Sequence, residues 1–88
     1  MENSRDKQYE VKLIKFYPFP LSFRRPRLLG FADVELENIL VIRGVKLFEA
    51  KNGGYFVQLP EPTVEIKDKK LLESIRRVVV DKYKEVRF

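Results

Sequence analysis

An α+β fold is predicted for this chain: a small antiparallel β-meander of four to five strands with one C-terminal amphipathic helix, assembled as a homodimer. Two patterns and one limit predict it. Apolar and polar residues alternate in short runs through residues 9–59, the period of half-buried strands, and polar turns separate the runs. After Asp68 the apolar spacing lengthens to three and four residues and holds to Val86. The limit is size. The 88 residues make one domain that buries only about 60% of its unfolded surface, and small domains without staples gain core by pairing with a copy of themselves.

Each element has its own signal. Residues 1–8 read as a flexible lead. Tyr9, Val11 and Leu13 then alternate with Glu10, Lys12 and Ile14, so a first strand runs to about Tyr17. PFPLSFRRPR follows, and its three prolines deny donors to a central ladder, which makes it a loop or an irregular edge. In the second strand, Leu28 to Leu36, Ala32, Val34 and Leu36 share one face while Asp33, Glu35 and Glu37 take the other. Glu37-Asn38 suits a two-residue hairpin turn, because Asn tolerates positive φ.

The third strand spans Ile39 to Glu49, with Ile39, Val41, Val45 and Leu47 on one face and Leu40, Ile42 and Phe48 on the other. Apolar residues on both faces argue for a central strand or a subunit contact. Gly44 marks a bulge or a close backbone approach. Asn52-Gly53-Gly54 is a turn, after which Tyr55, Val57 and Leu59 form the inward set of a fourth strand ended by Pro60 and Pro62. Thr63 to Ile66 is either a short fifth strand or an extended lead. Asp68 is a good N-cap for a helix over about 69–86, whose apolar stripe is Leu71, Leu72, Ile75, Val78, Val79, Tyr83 and Val86.

Composition removes several function classes. The chain has neither cysteine nor histidine, so it offers no disulfide framework, no Cys/His metal site and no imidazole to activate Ser4, Ser22, Ser74 or Thr63. Its carboxylates are dispersed, with no paired motif for acid–base work. A non-enzymatic protein without cofactors is expected. No run approaches the ~20 apolar residues that span a bilayer, and the N-terminus lacks the apolar core of a signal peptide, so a cytoplasmic location is expected.

The net charge of +5 is uneven, at +4 over residues 1–27, −2 over 28–62 and +3 over 63–88. If the two ends meet in the fold they form one basic face that attracts polyanions; otherwise the charges make a solvated, salt-bridged surface. Two basic clusters stand out. The helix carries Lys69, Lys70, Arg76, Arg77, Lys82, Lys84 and, at its end, Arg87. These either contact phosphates or pair internally through Glu73–Arg77 and Arg77–Asp81 at i,i+4. The second cluster, Arg24, Arg25 and Arg27, lies beside Phe16, Tyr17, Phe19 and Phe23. Cations interleaved with rings suit single-stranded nucleic acid, while the same rings equally suit a small core, a subunit contact or a partner protein.

Several segments, taken in order, resemble the stage V sporulation protein G (SpoVG) family of small bacterial regulators. These are Val11-Lys12-Leu13, Ala32-Asp33-Val34-Glu35-Leu36, Gly44-Val45-Lys46-Leu47, Asn52-Gly53-Gly54-Tyr55-Phe56-Val57-Gln58-Leu59-Pro60, and the helix with Val79 and Tyr83. The resemblance covers roughly Tyr9 to Val86. It implies a homodimer that regulates septation, sporulation or gene expression by binding DNA or RNA without catalysis. It also implies nucleic-acid contacts at Lys69, Lys70, Arg76, Arg77 and Lys84, with Arg43 added. The family's longer basic stretch with a His-Pro segment is replaced here by EPTVEIKDKK, and the FYPFPLSFRRPR loop departs from the family pattern. An alternative function is a protein-interaction module that docks through the aromatic and proline segment 16–23.

Overall fold

Four strands pair in sequence order, each antiparallel to the last, and one helix covers one face of the sheet. The computed structural model describes residues 9–60 and 64–86. The strands are β1 (Val11–Pro18), β2 (Arg27–Leu36), β3 (Leu40–Glu49) and β4 (Tyr55–Gln58), and the helix is α1 (Lys69–Val86). This is the α+β meander expected. The lead at 1–8, Pro62, Thr63 and Arg87 lie outside the described residues, and Val64 to Ile66 forms no strand.

Local chemistry explains the connections. Glu37 and Asn38 both take positive φ, 56° and 57°, the twist that a tight hairpin needs. The Ile39 amide closes this turn on the Leu36 carbonyl at 2.9 Å. Pairing resumes only at Leu40 opposite Leu36, so Ile39, expected to open the third strand, stays outside β3 and is 86% exposed. At the next hairpin the Asn52 side chain accepts from the Gly54 amide at 2.9 Å, and Gly53 has a φ of 90°. Asp68 caps α1 as expected, its Oδ1 accepting from the Lys70 amide at 2.8 Å and the Leu71 amide at 3.4 Å.

The core lies between the sheet and α1. Val34, Val45, Leu47, Ile75 and Val79 are fully buried there, with Val11, Leu13, Tyr55, Val57, Leu59, Val64 and Ile66 packed at the margins. One expectation fails on β3. Register slips between Ala32 and Val34, whose partners are Val45 and Ile42, so Arg43-Gly44 is a bulge with Gly44 at φ 84°. The extra residue inverts the alternation. Ile42 therefore joins Val45 and Leu47 in the core, while Val41 turns outward. Further slips at Ile14 in β1 and Leu29 in β2 have similar effects, and Leu29 is buried as a result.

Candidate nucleic-acid interface

On α1 the cations divide by position around the helix. Ile75, Val79 and Val80 are buried, and Lys70, Arg77 and Lys84 stand exposed on the opposite side. Their seven-residue spacing places them in one line, ~10.5 Å from one to the next at 1.5 Å per residue. Lys69 is exposed beside Lys70 in the first turn. Cations there oppose the positive end of the helix dipole, so helix stability does not account for them.

Arg76 does not belong to this ridge. It is half-buried and grips Glu73 with two bonds, Nε to Oε1 at 2.8 Å and Nη2 to Oε2 at 2.6 Å. That grip raises the Arg76 pKa and lowers that of Glu73. Arg77 meets the same carboxylate only at 3.7 Å, an exposed pair of small worth. Arg77 is thus seen with Glu73 and not with Asp81. Lys82 pairs with Glu85 at 3.1 Å, while the Lys84 ammonium lies 5.6 Å from the centre of the Tyr55 ring.

The second cluster meets the helix end, but two of its members turn inward. Pro18, Phe19, Pro20 and Ser22 face Arg27, Leu29, Tyr83 and Val86 across a cleft of about 270 Å³. The arginine loop therefore meets the C-terminal end of α1, away from Lys69 and Lys70 in the first turn. There Glu49, buried opposite Tyr55 in the ladder, accepts from Arg27 Nε at 2.6 Å and from Arg25 Nη2 at 3.1 Å. The Arg27 bond is the larger reason that the Glu49 pKa is lowered. Arg24 remains exposed. Arg43 donates to Asp33 at 3.1 Å, and this buried carboxylate also receives the Gly44 amide at 3.1 Å and the Tyr17 hydroxyl at 3.4 Å.

The aromatic segment 16–23 is also divided. Phe16 is in the core, edge-on to Tyr83 at 6.3 Å, so it is closed to any partner. Leu21 and Phe23 are 70% and 84% exposed at the loop tip. Tyr17 lies on the sheet face away from the helix, with Lys15 over its ring at 5.0 Å.

That outer face holds a set the sequence reading missed. Register places Tyr17, Phe31, Lys46 and Gln58 in one row across the four strands, and Leu28, Phe48 and Phe56 in the next. Phe48 and Phe56 stack with centroids 5.1 Å apart and planes 12° from parallel. Plain alternation along β3 groups Phe48 with Leu40 and Ile42, a grouping that the Gly44 bulge breaks. No family model, curated protein or solved structure matches this chain. Among the described residues, no cluster of acidic side chains could hold a metal ion, and no helix is long and apolar enough to cross a membrane.

Proposed function

We propose that this protein is a non-enzymatic, cytoplasmic nucleic-acid-binding regulator of the SpoVG type, acting as a homodimer in septation, sporulation or the control of gene expression. The observation that carries the reading is the exposed line Lys70–Arg77–Lys84 on α1. Arg77 meets Glu73 only at 3.7 Å and Glu85 is held by Lys82, so the Arg77–Lys84 part of the line presents cations that a phosphate backbone neutralises with release of counterions. Lys69 and Arg24 extend the basic surface. Arg25, Arg27, Arg43 and Arg76 act mainly as struts, because each is already committed to a carboxylate.

A dimer is supported by the open edge of β3. Strand β4 pairs only with Lys46 to Glu49, and among the described residues no strand lines that edge from Leu40 to Arg43, beside exposed Ile39 and Leu40. Exposed edges of this kind pair with further strands.

The test is binding of duplex DNA and of single-stranded RNA at about 50 and 200 mM salt. Affinity for one of them is expected to fall steeply over that range, and Arg77→Glu with Lys84→Glu is expected to abolish it without unfolding the protein. Affinity unchanged in this variant would refute the helix assignment. A second reading, docking of a partner protein, is favoured by exposed Leu21 and Phe23. Binding of that kind would be nearly insensitive to salt.

A further inference from the structure

We infer that the outer face of the sheet is a second, separate binding site, one that takes single-stranded nucleic acid by stacking bases on its rings. Helix α1 covers one face only. On the other, among the described residues, no helix or strand lies over Tyr17, Phe48 or Phe56, Phe31 meets the Phe19 ring edge-on at 6.1 Å, and Tyr17 and Phe56 are each 41% exposed. The rings occupy two adjacent rows of the ladder, and rows on one face are separated by two residues along a strand, ~6.7 Å. A four-stranded sheet with rings on its open face is an arrangement on which two or three unpaired bases stack. Every base has a π-face, so such a site tolerates any sequence.

Charge selects this occupant over others. Lys15 and Lys46 stand among the rings on the same face, and among the described residues no carboxylate pairs with either. The acids of that region are already spoken for or lie to one side. Asp33 is held by Arg43, Tyr17 and the Gly44 amide, and Glu35 sits toward the hairpin end of the ladder, opposite Lys12 and Val41. A second copy laid on the face about a two-fold axis would trap these ammonium groups in an apolar contact with no added acid, which is costly. A duplex keeps its bases paired and out of reach of flat rings. A single strand supplies what the surface lacks: planar apolar bases for the rings, and phosphates for Lys15 and Lys46. The site is on the side of the molecule opposite the helix ridge and does not depend on it.

The probes are labelled oligothymidylate, oligouridylate and a mixed duplex, each titrated by fluorescence anisotropy. Phe56→Leu keeps an apolar side chain on the edge strand and removes the ring, with Tyr17→Ala as an independent second variant. Each is expected to weaken single-strand binding roughly 5- to 150-fold while leaving duplex binding near that of the parent; Phe56→Leu also keeps the thermal midpoint, whereas Tyr17→Ala lowers it by removing a donor from Asp33. Lys46→Ala is expected to flatten the slope of log affinity against log salt by about 0.7, which Phe56→Leu does not do. The two oligonucleotides separate DNA from RNA as the natural ligand. Single-strand affinity unchanged in both ring variants overturns the site, as does a ring variant that dissociates an oligomer and leaves that affinity intact. If duplex binding persists in that case, the helix reading stands alone. If the unaltered protein binds neither probe at low salt, both readings fall. Loss of duplex binding alone in Arg77→Glu with Lys84→Glu leaves the sheet site in place.

Discussion

Gly30 shows how much a single side chain decides. A Cβ there would meet Phe16 Cζ at 2.4 Å and the Tyr17 carbonyl oxygen at 2.7 Å, so the Phe16 ring lies where any other residue would begin. Gly30→Ala is expected to cost about 1–3 kcal/mol, read from the urea midpoint. Gly44 is needed for a different reason: space is open around it, but its φ is 84°. Gly44→Ala is expected to cost roughly 1–2 kcal/mol through backbone strain, with nucleic-acid affinity unchanged. Tyr9 ties the entry of β1 to the start of α1 by donating to Asp68. This bond is the main reason that the phenol pKa is raised and the Asp68 carboxyl pKa lowered. The bond survives below the ordinary tyrosine value of 10.0 and is lost as pH rises through the elevated one.

At the scale of elements, α1 is held by burial and not by its surface pairs. Ile75 and Val79 are fully enclosed, whereas the ion pairs along the helix are at least one-third exposed on each side chain and worth little. Ile75→Ala is expected to destabilise the fold by about 2–5 kcal/mol, measured by chemical denaturation. Arg77→Glu is expected to stay within about 0.5 kcal/mol of the parent, which is why it serves to test binding. The sheet is stitched at its far end by Glu49, which joins Arg27 on β2 and Arg25 in the loop to β3. The aromatic loop is thereby positioned by a carboxylate 22 residues away from Arg27 in sequence.

For the whole molecule, acid should be the weak side. Glu49, Asp68 and Glu73 are all more acidic in the folded protein, because of Arg27, Tyr9 and Arg76 respectively. A lowered carboxylate contributes its full stability above its unfolded value and loses it as pH falls toward the folded one. The ordinary values are 4.5 for glutamate and 3.8 for aspartate. The thermal midpoint is therefore expected to be flat near neutrality and to drop below about pH 4.5, and Glu49→Gln is expected to lower the plateau and soften the drop. The molecule, of net charge +5, presents a basic face along the helix and an aromatic and basic face on the sheet.

The chain by itself determined everything that depends on neighbours a few residues apart. The α+β class, the order of strands, both hairpin turns, the Asp68 cap and the reach of the helix follow from residue spacing, because backbone preference and amphipathic period are local properties. It also singled out the basic clusters, since charge is written in composition. Only the tertiary structure decided which of those cations are committed to buried or half-buried carboxylates. Arg25 and Arg27 are spent on Glu49, Arg43 on Asp33 and Arg76 on Glu73, and the cross-sheet partners among these follow from strand register. The aromatic face was hidden for the same reason. A bulge adds one residue and sends every later side chain to the opposite face, so Phe48 faces away from Ile42, with which the plain alternation groups it, and the β3–β4 register then sets it against Phe56.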